Sequence, residues 1–184
     1  MGSMNELSPP QWVDSLNGYL RPYWNELLDG DWCEGVANRT LTVPEMRGWI
    51  LQLYPFIHAF PKFLAEGLIK VEDEYSRSFL IDNIRVEKAH AEHWIWMGLG
   101  FGLTRQEMLN AAEGSKPVLR DVQSLSDWLW YINSKGSMAE AVAATSFAIE
   151  GVAGDIARKV VSAATVRVTG SRPGAWSAPR RPRW

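Results

Sequence analysis

A chain of 184 residues, 46% apolar and with a formal net charge of −2, is long enough for one domain with a real core and short for two. The near-neutral charge excludes an overall basic field for nucleic acid, and no run of roughly 18 apolar residues exists to predict a membrane span. The single cysteine, Cys33, excludes an intramolecular disulfide framework and a thiolate zinc site, and the N-terminus shows no basic-then-apolar signal pattern, so a reducing cytoplasm is the expected setting.

Residues 1–4, Met-Gly-Ser-Met, read as an expression scar ahead of a natural Met4. Ser8-Pro9-Pro10 predicts an N-cap with prolines in the first turn. The helix it opens carries Trp12, Val13, Leu16, Leu20, Tyr23, Trp24, Leu27 and Leu28, with Pro22 expected to kink or split it. Asp29-Gly30-Asp31 ends it. Residues 30–42 read as a connection that holds at most a short helical turn. Cys33 has only acids near it in sequence, Asp31 and Glu34, which favours a non-catalytic thiol.

Thr42-x-x-Glu45 is a capping box with Pro44 in the first turn. The following helix meets Pro55 and Pro61, which predicts bends and freed carbonyls near His58. A lone histidine on an apolar face is ordinarily a satisfied core residue, but a bent helix is also where bundles open a pocket. Lys62 can snorkel to solvent or meet an anionic substrate; solvent is the simpler reading.

A long helix is predicted over 72–99, with no Pro or Gly from Glu72 to Met97 and apolar residues three and four apart. It holds Glu87, His90, Glu92 and His93. Glu87 and His90 are three apart, within roughly 60° of each other on a helix, so a carboxylate and an imidazole can reach one point. Glu-x-x-His supplies metal ligands in helical bundles in this way. The bland alternative is a surface acid–histidine pair, and spacing alone leaves the two open. The glycines of 98–102 follow no strand and are not a dinucleotide loop.

Thr104-x-x-Glu107 caps a short helix to about Ala112, and Gly114-Ser-Lys-Pro117 makes a turn. A helix over 117–133 stops at Lys135-Gly136. Ser137-x-x-Glu140 caps a last helix over 138–160, whose face is small: Ala141, Ala144, Ala148, Gly151, Gly154. Glu150 lies in that run, and a carboxylate there either faces solvent or has a cation to meet.

No acidic residue follows Asp155, and the last 20 residues hold five Arg and three Pro. The expected division is therefore a helical domain over 5–160 and a basic tail over 161–184, either disordered or read in a shifted frame from near Val161. Thr165–Thr169 alternates like a strand but has no evident partner.

Glu87, His90 and Glu150, from two separate helices, with His58 from a third, make a carboxylate–imidazole set that suits iron or manganese in oxygen chemistry more than zinc. Three blocks carry a family resemblance: Tyr54-Pro-Phe-Ile-His-Ala-Phe-Pro-Lys-Phe63, Asn83-Ile-Arg-Val-Glu-Lys-Ala-His-Ala-Glu-His-Trp94 and Phe147-Ala-Ile-Glu-Gly-Val-Ala-Gly154. They resemble the haem-oxygenase-like non-haem iron oxidases, which share the helical fold of the thiaminase-II and pyrroloquinoline-quinone-synthase proteins. The branch suggested is the one containing the medium-chain fatty-acid decarboxylase that makes terminal alkenes. The resemblance covers roughly residues 10–160.

The resemblance implies an all-α, haem-oxygenase-like bundle. It implies one or two Fe(II) ions held by Glu87, His90 and Glu150, with O2 as co-substrate and a small carboxylic acid, fatty or amino acid, as substrate. His58 stands where the nearest branch supplies a carboxylate ligand, so its role there is a departure. His93 is expected to be exposed or to act behind the ligands. The family's further helix, with its Asp and His, has no counterpart, since no histidine follows His93; the bundle is expected to lack its last core helix. Trp49, Phe56, Phe60, Lys62 and Trp94 are the substrate-pocket candidates. Two rivals stand beside the oxidase. One is a thiaminase-II-like hydrolase, which depends on a cysteine placed late in the chain. The other is a catalytically incomplete helical domain, in a homodimer or with its tail on a partner.

Overall fold

The computed structural model describes residues 10–166, and side chains as far as Lys159. Among the described residues the chain is all-α. The helices are α1 (Gln11–Leu28), α2 (Asp31–Asn38), α3 (Val43–Leu68), α4 (Glu74–Gly100), α5 (Arg105–Ala112), α6 (Arg120–Lys135) and α7 (Met138–Val142). A π-helical stretch, Ala143–Ile149, then leads into α8 (Glu150–Val166).

The three predicted capping boxes all form. At Thr42 the hydroxyl accepts from the Glu45 amide while Glu45 Oε2 accepts from the Thr42 amide at 2.7 Å, and Thr104–Glu107 and Ser137–Glu140 repeat the pattern. Each box satisfies two amides that a helix start leaves without partners. Asp73, whose side chain accepts from the Ser76 amide at 2.8 Å, caps α4 without a glutamate at the third position.

Helix α3 is the centre of the fold, with α4, α5 and α6 packed on it. It stays helical through Pro55 and Pro61, although each ring removes a hydrogen bond, from Leu51 and Ile57 respectively, at a cost of about 3 kcal/mol. Burial offsets that cost. Tyr54, Phe56, Phe60, Phe63 and Leu64 are all buried, and each such side chain contributes roughly 1.5–3 kcal/mol. One core cluster joins Phe56, Phe60, Phe63 and Leu64 to Leu80 and Leu129; a second joins Met46, Ile50 and Tyr54 to Ile95 and Met108. Close approaches are made at glycines. A Cβ on Gly98 would stand 2.8 Å from Met108 Sδ, which is where α4 meets α5.

Helices α1, α2 and α8 form the other flank. Lys159 on α8 reaches Glu34 Oε1 (2.5 Å) and Asp29 (3.5 Å), and Arg21 on α1 reaches Asp155 (3.0 Å).

Several expectations are corrected. Pro22 does not split α1, which is continuous. The 30–42 connection contains a full helix, α2, ended by Arg39 in the left-handed conformation. The predicted helix over 138–160 is three pieces, because α7 passes into the π stretch. The helix also runs on to Val166, so Thr165 and Val166 are helical rather than extended. Ser8 and Pro9, and the tail from residue 167 with the rest of the strand candidate, lie outside the described residues.

Candidate functional site

On α4, Glu87 is only 5% exposed, and His90 lies one turn on with its side chain 46% exposed. Their separation is 3.1 Å, from His90 Nδ1 to Glu87 Oε2. A carboxylate only accepts, so Nδ1 carries the proton and donates. Nε2 has no partner among the described residues, the arrangement in which a carboxylate orients a metal-binding imidazole.

Glu150 opens α8 from the other side. It is half-buried, and its carboxyl makes neither a hydrogen bond nor an ion pair with the described residues. Its carboxyl is pushed up to about 6, first by burial and then by the negative charge of Glu87, with His90 acting in the opposite sense. No lysine or arginine is among these influences. Two carboxylates and an imidazole from α4 and α8 therefore share one electrostatic neighbourhood, in which His90 is the opposing influence on Glu150 among the described residues.

His58 is not brought into that neighbourhood. It is exposed on α3, its ring 5.8 Å from Tyr54, and it is not among the charges acting on Glu150. The reason is helical phase: Tyr54, Phe56 and Phe60 take the buried side of α3, leaving His58 outside. His93 is exposed, with its ring 6.2 Å from His90 and 5.2 Å from Trp96. Phe56 and Phe60 lie in the core against Phe63 rather than on an open wall, and Lys62 is exposed. Trp49 and Trp94 are half-buried and belong to a stack of three indoles: Trp32 to Trp49 at 4.2 Å and Trp49 to Trp94 at 4.8 Å. Sequence reasoning missed Trp32. Its Nε1–H is buried with no acceptor among the described residues, an arrangement that costs on the order of 1–3 kcal/mol.

In kind, the donors fit a divalent ion that takes oxygen and imidazole ligands. In number they fall short. Among the described residues no three His, Cys, Asp or Glu side chains stand grouped to hold a metal ion.

Cys33 is 2% exposed on α2, and burial pushes its thiol up, only partly offset by Lys159. Its electrostatic neighbours are Lys159, Glu34 and Asp29, not the Glu87–His90–Glu150 group.

The profile of the TENA/THI-4/PQQC family matches residues 19–171, and the chain belongs to that family. Among solved structures it is similar to a TenA homolog from Pseudomonas syringae pv. tomato str. DC3000, at 27% identity and a TM-score of 0.74. That likeness covers 88% of this chain and 68% of the other. No curated protein matches. The haem-oxygenase-like helical fold is thereby established, and no helix among the described residues is long and apolar enough to cross a membrane.

Proposed function

We propose that the chain is a non-haem iron, O2-dependent oxidase of a small aliphatic carboxylic acid, removing hydrogen from a fatty or amino acid with oxidative decarboxylation as one outcome. The observation that carries this reading is the Glu87–His90–Glu150 group: two carboxylates and an imidazole from two helices, with no lysine or arginine of the described residues among the influences on Glu150. A bound cation would offset the burial and the Glu87 charge that push the Glu150 carboxyl up to about 6. When bound, iron would supply the activation of O2 and the oxidising power for an unactivated C–H bond. Glu87 keeps the proton on His90 Nδ1 and so presents Nε2 as a ligand. Glu150 would hold the ion as the second carboxylate, in its ionised form. Trp94, one helical turn past His90, and Trp49, its ring 4.8 Å away, would provide apolar surface beside the ion.

The family also includes thiaminase-II-like hydrolases, which depend on a nucleophilic cysteine. Burial of Cys33 pushes its thiol up and disfavours that chemistry, because the thiolate is the nucleophile. A catalytically incomplete helical domain with a binding role is the second reading. It is favoured by the absence of any three-donor group among the described residues.

Anaerobic Fe(II) titration tests the choice, followed by O2 with candidate fatty and amino acids and a watch for transient visible absorption. Stoichiometric iron in the wild type, lost in both Glu87→Ala and His90→Ala without loss of helical signal, is expected. Wild-type-like iron binding in both variants would end the metal reading, and substoichiometric iron in the wild type would favour the incomplete domain.

A further inference from the structure

The π-helical stretch Ala143–Ile149 stops one residue before Glu150. A π turn is wider and packs less well than an α turn, so it persists where neighbours hold it, and such turns gather at functional sites. Here the neighbour is α1. Trp24 is buried, and its Nε1–H donates to the Ala148 carbonyl at 3.1 Å. Its six-membered ring occupies the space a side chain at residue 151 would need: a Cβ on Gly151 would stand 2.6 Å from Cζ2 and 2.8 Å from Cη2. Trp12 meets Phe147 edge-on at 5.8 Å. Arg21 lays its guanidinium 5.0 Å from the Trp24 ring and reaches Asp155 at 3.0 Å. Within the stretch, Thr145 Oγ1 donates to the Ala141 carbonyl at 2.8 Å, a back-bond of the kind that bends helices. Contacts from α1 therefore fall on residues 147, 148, 151 and 155, on both sides of Glu150.

We propose that Trp24 is a positioning residue: its bond to the Ala148 carbonyl and its packing on Gly151 hold the π turn, and the π turn sets the direction of Glu150. A slip of one residue, from π back to α, rotates the residues beyond the turn by about 100° about the helix axis, enough to turn Glu150 away from Glu87. The role rests on the proposed reading of Glu150 as a ligand, but the grip of α1 on the π turn can be measured without any metal.

Two variants separate the parts. Trp24→Phe keeps an aromatic ring and removes the N–H donor; Gly151→Ala leaves the indole intact and pushes it off by its Cβ. Three readouts are taken: amide hydrogen exchange of the metal-free protein, Mn(II) affinity by electron paramagnetic resonance, and the thermal midpoint by circular dichroism. Both variants are expected to exchange about fivefold faster or more over 143–153 with α3 and α4 unchanged, and to bind Mn(II) about five- to tenfold more weakly, the scale of one lost buried hydrogen bond. Unchanged exchange over 143–153 in the variants that fold overturns the grip. Faster exchange with unchanged Mn(II) affinity overturns the positioning role, leaving Trp24 a packing residue. If the wild type itself binds no Mn(II), the metal reading fails, and the grip of α1 stands or falls on the exchange data alone.

Discussion

Replacing Glu150 by glutamine should stabilise the metal-free protein above neutrality. The carboxyl is raised from 4.5 to about 6, so the folded state binds its proton more tightly than the unfolded chain does. For a raised acid the sign is fixed: stability falls as pH rises from about 4.5 through 6 and is level above that. Each pH unit between the folded and unfolded ionisations is worth about 1.4 kcal/mol, so the ionised side chain costs folding on the order of 2 kcal/mol, less whatever solvent screens at a half-buried position. Glutamine keeps the shape and removes the charge. The gain at pH 8 should be about 1–2 kcal/mol, or roughly 3–6 °C in a chain of this length. At pH 4.5 the gain should shrink by more than half, because the wild-type carboxyl is then protonated when folded. Urea melts followed by circular dichroism at pH 4.5, 6 and 8, with a chelator present, measure this directly. Other carboxylates that lose partners in acid cancel in the difference between the proteins. A gain that is the same at pH 4.5 and pH 8, or none at pH 8, would refute the idea that burial and the Glu87 charge hold Glu150 protonated. Added Mn(II) should reverse the order, raising the wild type and leaving Glu150→Gln unmoved.

His90→Ala should destabilise the metal-free protein by about 1–3 kcal/mol in urea at pH 7.5, because buried Glu87 loses its partner; a loss of a few tenths would show the pair to be idle. Cys33 should resist a thiol-reactive disulfide reagent at pH 8 until the protein unfolds, since its thiol is covered and its ionisation disfavoured; rapid stoichiometric labelling would reopen the cysteine-dependent reading. Thr42→Ala should cost about 1 kcal/mol by removing the capping box of the central helix, seen as a midpoint about 2–4 °C lower.

Helix starts were the most legible part of the sequence, because a capping box is a local hydrogen-bond pattern that needs nothing from the rest of the chain. Thr42, Thr104 and Ser137 were all found in that way. The Glu87–His90 contact was legible for a similar reason: three residues on one helix fix the distance. Pro22, expected to kink or split α1, does not split it. Propensity at one residue counted for less than the packing along α1, where Trp24 is buried two positions on. His58 illustrates phase. Two prolines drew notice to its neighbourhood, but the buried side of α3 is set by four aromatic residues that look elsewhere. The π stretch left no trace in the periodicity, since alanines at 143, 144 and 148 suit either kind of turn. It becomes visible only once Trp24, more than a hundred residues before it in the chain, is seen donating to its backbone. Glu150 could be singled out from sequence as an acid among small residues, whereas its nearness to Glu87 depends on how α8 and α4 come together.

The three stacked indoles have an optical consequence. Trp32, Trp49 and Trp94 come from α2, α3 and α4, and at centroid separations of 4.2 and 4.8 Å their transition dipoles couple. Coupled indoles split their absorption into a pair of circular-dichroism bands of opposite sign, a signal that isolated tryptophans do not give. Helical signal in the far ultraviolet would survive if α2 drifted from the α3–α4 pair; the Trp32–Trp49 share of the couplet would not, while the Trp49–Trp94 share would remain. The protein thus carries a native gauge of whether those three helices are assembled, readable at micromolar concentration and without a label.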